Sequence, residues 1–194
     1  MLLLFVSFVF IVSQHVTWGQ LTRSKQVNVD VYVEAQCPFS TRFFANELMP
    51  FVRQFPHVMN LTIIPYGNTE CHRIDGRVSC KCFHGPNECQ LNQLMNCMIH
   101  RHPYIYDYLD TVVCIQGQPD LATAHRSCIA GKPDEWMLMK CARSRRGFRL
   151  HLKSGVKTLK TGVENVPWIT VNGKYNKPSE YAFRREICGV SELC

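Results

Sequence analysis

Residues Val27-Asn28-Val29-Asp30-Val31-Tyr32-Val33 alternate apolar and polar side chains, and Cys37-Pro38-Phe39-Ser40 follows almost at once. The alternation predicts a half-buried strand. Pro38 suits the first position of a helix capped by Cys37, because the N–H it lacks would have no partner there anyway. Phe43, Phe44, Leu48, Phe51 and Val52 recur at helical spacing to about Phe55. Met59 to Pro65 reads as a second strand, ending in Tyr66-Gly67-Asn68. The order β-α-β restricts the chain to α/β architectures and delivers a cysteine to a strand-to-helix junction. A helix N-terminus stabilises a thiolate, and the thiolate is the species that attacks a disulfide. Cys37 is therefore the candidate nucleophile. The alternatives are a buried structural cysteine and a partner in an intermolecular bridge.

The cysteine count supports the first reading. There are eleven in 194 residues, an odd number, and setting Cys37 aside leaves ten for five bridges of undetermined connectivity. Such density belongs to an oxidising compartment. Leu2 to Val12 is an apolar block too short to span a bilayer, and Thr17 and Gly19 suit cleavage before Gln20. Residues 1–19 thus read as a signal peptide, although no Lys or Arg precedes the apolar block; the alternative is a short buried strand or helix. No later stretch is apolar enough for a membrane span. Asn60-Leu61-Thr62 is the one glycosylation sequon. The expected destination is the extracellular space, or alternatively the lysosome.

The remaining segments are read by pattern. Cys71, Cys80, Cys82, Cys89 and Cys97 crowd one stretch, with turns at Gly76 and Gly85-Pro86. Helices are expected from Glu88 to His102, from Pro103 to Ile115, from Leu121 to Ala130 and from Glu135 to Cys141. That is too much helix for a loop, so a helical insertion is expected at about residues 69–142. Arg143 to Lys160 reads as one helix returning to the main domain, with a basic face of Arg143, Arg145, Arg146, Arg149, Lys153, Lys157 and Lys160. These account for much of the formal charge of +7. They form either a solvated helix face or a contact for polyanions. Aromatic interleaving and nucleic-acid modules are lacking, which argues against DNA or RNA binding. Ile169-Thr170-Val171 reads as a strand, Asn172-Gly173 as a hairpin turn, and Ser179 as the cap of a last helix to Ile187.

Three segments carry a family resemblance. Cys82-Phe83-His84-Gly85-Pro86-Asn87-Glu88-Cys89, continuing through Asn92 to Cys97, resembles the signature C-Q-H-G-x-x-E-C-x-x-N-x(4)-C of the gamma-interferon-inducible lysosomal thiol reductases. Cys82, His84, Gly85, Glu88, Cys89, Asn92 and Cys97 fit it, and Phe83 replaces the glutamine. Ile64-Pro65-Tyr66-Gly67-Asn68 and Val166-Pro167-Trp168-Ile169-Thr170-Val171-Asn172-Gly173 are also similar to that family, as is the terminal pair Cys188 and Cys194. The resemblance implies an α/β, thioredoxin-like fold with a disulfide-rich helical insertion, over residues 20–194 as a single domain. It implies a cis-proline at Pro167 beside the active thiol, and no cofactor. A zinc site built from Cys80, Cys82, His84 and Cys89 is the competing reading, and a secretory route that oxidises these cysteines weighs against it. His84 and Glu88 are expected to order a turn and a helix cap.

Members of that family use two cysteines. The first attacks a substrate disulfide, and the second resolves the mixed disulfide that results. Carried over, Cys37 takes the first position and Ser40 the second. A serine hydroxyl forms no disulfide, so dithiol reductase activity is expected to be lost or strongly reduced. What remains is binding to a protein or peptide partner, disulfide-linked or not. The alternative is monothiol oxidoreductase or isomerase chemistry completed by an external thiol. Phe83 and Thr161-Gly162-Val163-Glu164 also depart from the family's usual residues.

Overall fold

The structure is a computed structural model and describes residues 26–194. The leader expected at residues 1–19 lies outside the described residues. Strand β1 (Val27–Val33) is the centre of a four-stranded sheet of order β2-β1-β5-β6. It pairs in parallel with β2 (Met59–Pro65) and antiparallel with β5 (Trp168–Val171), which turns back into β6 (Lys174–Tyr175). Val27, Val29, Val31 and Val33 point into the main core with Phe43, Phe44, Leu48 and Ile169. The opposite face of β1 meets the long helix α7 (Arg145–Thr161): Asp30 accepts from Lys157 at 2.9 Å, and the Tyr32 hydroxyl lies 2.7 Å from that of Thr161.

The crossover from β1 to β2 is one helical rod, α1 (Pro38–Phe43) and α2 (Met49–Gln54), joined by a π-helical turn at Phe44–Leu48. Pro50 explains the turn. It has no N–H for the carbonyl one turn back, and its ring would clash there, so a wider turn takes the strain. Met49 N–H accordingly donates to Phe44 O, five residues earlier. Helix α8 (Phe183–Cys188) closes this side, with Phe183 edge-on to both Phe43 and Phe51.

Between β2 and α7 lie a hairpin and four helices. The hairpin, β3 (Glu70–Ile74) and β4 (Arg77–Lys81), forms around the turn expected at Gly76, within a stretch whose strands were not expected. Its strands are mostly exposed, so no apolar alternation advertised them. Its turn is Asp75-Gly76, both at positive φ, and Cys71–Cys80 bridges opposite partners. Helices α3 (Pro86–Arg101), α4 (Ile105–Ile115), α5 (Leu121–Ala124) with a π turn at His125–Ile129, and α6 (Glu135–Ala142) follow. Their Leu91, Leu94, Met95, Leu109, Val112, Ile115 and Leu138 belong to the same apolar cluster as the β1 valines. The bridges Cys97–Cys141 and Cys114–Cys128 fasten α3 to α6 and α4 to the π turn.

Helix α7 (Arg145–Thr161) begins two residues later than the basic run suggests, because the Ser144 side chain caps it by accepting from Arg146 N–H at 3.1 Å. Gly155 lets it approach β2 closely: a Cβ there would lie 2.5 Å from the Tyr66 ring. Ser179 is not a helix cap. It sits buried in a 3-10 turn at Lys177–Glu180, where Asn176 is the cap and accepts from Ser179 N–H at 3.0 Å.

Candidate active site

The registers of β1 build the site. Tyr32 pairs with Trp168 and Val33 with Pro65, so the segment after Val33 emerges beside Pro167 and beside the end of β2. Cys37 caps α1 with extended backbone (φ −70°, ψ 121°), and Pro38 is the first helical residue. The Cys37 carbonyl accepts from Thr41 N–H at 3.0 Å and from the Thr41 hydroxyl at 3.1 Å. Cys37 Sγ is 3.6 Å from Val166 O, and the Val166–Pro167 peptide is cis. The residue is only 5% exposed, yet it is the free cysteine, the other ten being paired. Beside it runs a groove of about 400 Å³ walled by Phe39, Arg42, Val166, Pro167, Tyr175 and Tyr181. Trp168 stacks on Tyr175 at 3.6 Å and firms the far wall.

Ser40 faces inward, fully buried, and its hydroxyl has no hydrogen-bond partner among the described residues. It does not reach Cys37 Sγ, which turns to Val166 O instead. A buried hydroxyl left without a partner costs about 1–3 kcal/mol.

The signature residues hold the loop that carries Cys37. Asn92 Oδ1 accepts from Ala35 N–H at 3.0 Å, and Glu88 Oε2 accepts from Gln36 N–H at 3.3 Å. Glu88 also orders the turn before its own helix, accepting from His84 N–H at 3.1 Å and meeting His84 Nδ1 at 2.6 Å. Gly85, at φ 100°, caps α3, and Cys82–Cys89 ties the turn to the helix. That bridge, with Cys71–Cys80, takes three sulfurs of the competing zinc set. Cys97 stands far along α3 in the bridge to Cys141, and so serves the scaffold.

Two partners of the loop were not expected from sequence. Gln116, just past α4, donates to Glu34 O at 2.7 Å and to Cys37 O at 3.4 Å, while Gly117 N–H donates to Ala35 O at 2.7 Å. Glu34 is the other. Its carboxylate is buried 3.3 Å from His84 Nδ1 and accepts from Asn68 N–H at 2.6 Å. Burial holds its pKa above the ordinary carboxylate value; the Asn68 N–H opposes that, nearby Glu88 adds to it, and His84 opposes it. Gly67, at φ +61°, passes directly under this side chain, and a Cβ there would collide with Glu34. The available signal was a carboxylate following an apolar strand end, three residues before the cysteine. Asn60 is exposed on the edge strand β2, far from this loop in the sheet register.

Residues 28–132 match the family model described as gamma interferon inducible lysosomal thiol reductase (GILT). The chain belongs to the GILT family. A GILT-like protein of Caenorhabditis elegans is 38% identical over 84% of this chain and 52% of its own length, so the chain spans about half of that relative. The gamma-interferon-inducible lysosomal thiol reductase of Mus musculus is 31% identical over 82% of the chain and 66% of its own length. Among solved structures, Chlamydia trachomatis DsbA covers 84% of each chain with a TM-score of 0.62 and 16% identity, a likeness of fold alone. The fold is thioredoxin-like, and within it this GILT chain carries Cys37 at the N-terminus of α1 and Ser40 three residues on.

Proposed function

We propose that the protein engages disulfide-bonded protein or peptide partners through Cys37 and does not complete a two-thiol reductase cycle alone. The observation that carries this is Ser40, buried three residues after Cys37, where the family resemblance implies a resolving cysteine. In the first step the Cys37 thiolate attacks one sulfur of a substrate disulfide. That S–S bond breaks, a Cys37–substrate disulfide forms, and the departing sulfur takes a proton to become a thiol. Release needs a second thiolate, which is oxidised to a disulfide with Cys37 while the remaining substrate sulfur leaves reduced. The Ser40 hydroxyl stays protonated and forms no such bond. The covalent complex therefore persists, and binding is the function. A monothiol enzyme, in which an external thiol such as glutathione performs the release, is the second reading. It is favoured by the free state of Cys37 beside an open groove.

The same reading places the mature protein, residues 20–194, outside the cytosol, secreted or lysosomal, after removal of residues 1–19. Residues 69–142 form an insertion into a single thioredoxin-like domain. Five disulfides suit an oxidising compartment, and the exposure of Asn60 suits glycosylation. Reduction of a disulfide-bonded protein is to be followed at acidic and neutral pH for the wild type, Cys37→Ala and Ser40→Cys. Each protein is pre-reduced, freed of reductant and mixed with one equivalent of substrate. Ser40→Cys should release fully reduced substrate once, its own two thiols supplying the electrons as they close a disulfide. The wild type should stop at the mixed disulfide until a small thiol is added, and Cys37→Ala should do neither. Release of fully reduced substrate by the wild type in this single turnover without added thiol would sink the proposal.

A further inference from the structure

Helix α7 carries Arg145, Arg146, Arg149, Lys153, Lys157 and Lys160, and no Asp or Glu occurs anywhere along it. Its buried residues, Gly147, His151, Gly155 and Thr158, share one side. At ~100° per residue the six cations fall on the opposite side within an arc of about 120°, along about 22 Å of axis. Among the described residues only Lys157 has a carboxylate partner, Asp30. Like charges in such a row repel, so the free protein holds this face at a cost that a polyanion would relieve.

At the N-terminal end of the row a cavity of about 550 Å³ opens between α3, α6 and α7. Its lining includes His100, Arg101, Trp136, Met137, Lys140 and Arg146, and no carboxylate. The nearby Asp134 is already engaged by Arg101 and His102, each at 2.7 Å. Arg146 Nη2 donates to His100 Nε2 at 3.0 Å, which joins the cavity to the row. The Trp136 ring is 69% exposed, with Lys140 Nζ 4.4 Å from its centre.

We propose that this face docks a linear sulfated glycan, its sulfates along the α7 cations and one sugar ring in the cavity against Trp136. Arginine and lysine supply the charge-assisted contacts to sulfate oxygens. The electron-rich indole face attracts the C–H face of a pyranose ring, as it does other positive edges. A single chain can enter the recess and follow the row, whereas a flat bilayer reaches only the rim. Val156 and Leu159, exposed at the margin of the row, are what an anionic membrane would use instead, so vesicles belong in the test.

The mature chain is to be titrated at near-physiological salt with a heparin-derived oligosaccharide, its desulfated counterpart, and vesicles of phosphatidylserine and phosphatidylcholine. The sulfated oligosaccharide should bind, weaken steeply with added salt, and outcompete the desulfated form. Arg149→Ala/Lys153→Ala/Lys160→Ala should weaken binding about tenfold or more, and Trp136→Ala severalfold, with the fold intact by circular dichroism. A charge-matched control on other elements, Arg53→Ala/Arg126→Ala/Arg184→Ala, should change it less than about twofold. Failure to bind the sulfated oligosaccharide overturns the proposal. So does an equal loss in the control, which would reduce the effect to net charge, and so does binding to vesicles alone, which would assign the face to a membrane surface.

Discussion

At the scale of single residues, the proposed function rests on Cys37 and Ser40. Cys37 has what an attacking thiol requires: a helix cap, a free sulfur and a neighbouring groove. Ser40 is fully buried, and its hydroxyl has no hydrogen-bond partner among the described residues. Sequence made the strand-to-helix junction at Cys37 legible, because Cys-Pro after an alternating strand has few structural meanings. It did not reveal that the Ser40 hydroxyl is stranded, since that depends on the packing around it. Ser40→Ala should therefore leave the fold unchanged and raise stability by about 1 kcal/mol, read by urea denaturation. A loss of stability would mean that the hydroxyl has a partner in solution.

At the scale of elements, the active loop is an interlocked set of backbone bonds, not a free turn. The N-terminal half of α3 holds it through Asn92 and Glu88, and the end of α4 holds it through Gln116 and Gly117. A signature spaced like metal ligands or acid–base residues thus works mainly as a clamp. Sequence spacing placed those residues on one helix but could not say which backbone groups they meet. The amphipathic and alternating elements were legible because periodicity follows burial. The β3–β4 hairpin was not, since its exposed strands bury too little to leave a period, and only Asp75-Gly76 marked it. Asn92→Ala should leave Ala35 N–H buried without an acceptor, lowering stability by about 1–3 kcal/mol. It should also speed alkylation of Cys37 by iodoacetamide, measured by intact mass, because the loop that shields the thiol is released.

At the scale of the whole molecule, the helices between β4 and α7 share the core of the sheet, and the disulfides staple those helices to one another. One buried group couples this assembly to pH. His151, on the sheet side of α7, packs 4.7 Å from the Tyr66 ring, and burial lowers its pKa to about 4. An unfolded chain binds a proton at His151 below about pH 6.5, whereas the folded chain refuses it until about pH 4. Stability is then fully present above pH 6.5 and falls as the pH drops towards 4, with about 2 kcal/mol lost by pH 5. Glu34 acts in the opposite sense, since a raised carboxylate pKa favours the folded state on acidification. Thermal melts between pH 7.5 and 4.5 should show a smaller acid loss in His151→Phe than in the wild type, whatever its effect at neutral pH. An unchanged acid slope would remove His151 from this account.

In the proposed function, Ser40 stops the cycle at the mixed disulfide. Intact-mass spectrometry of the pre-reduced mature chain, after mixing with a peptide closed by one intramolecular disulfide, reads that species directly, because the departing thiol stays attached to the adduct. A Cys37 adduct should accumulate in the wild type, persist until a small thiol is added, and fail to accumulate in Ser40→Cys. Release of reduced peptide from the wild type with no added thiol would contradict it.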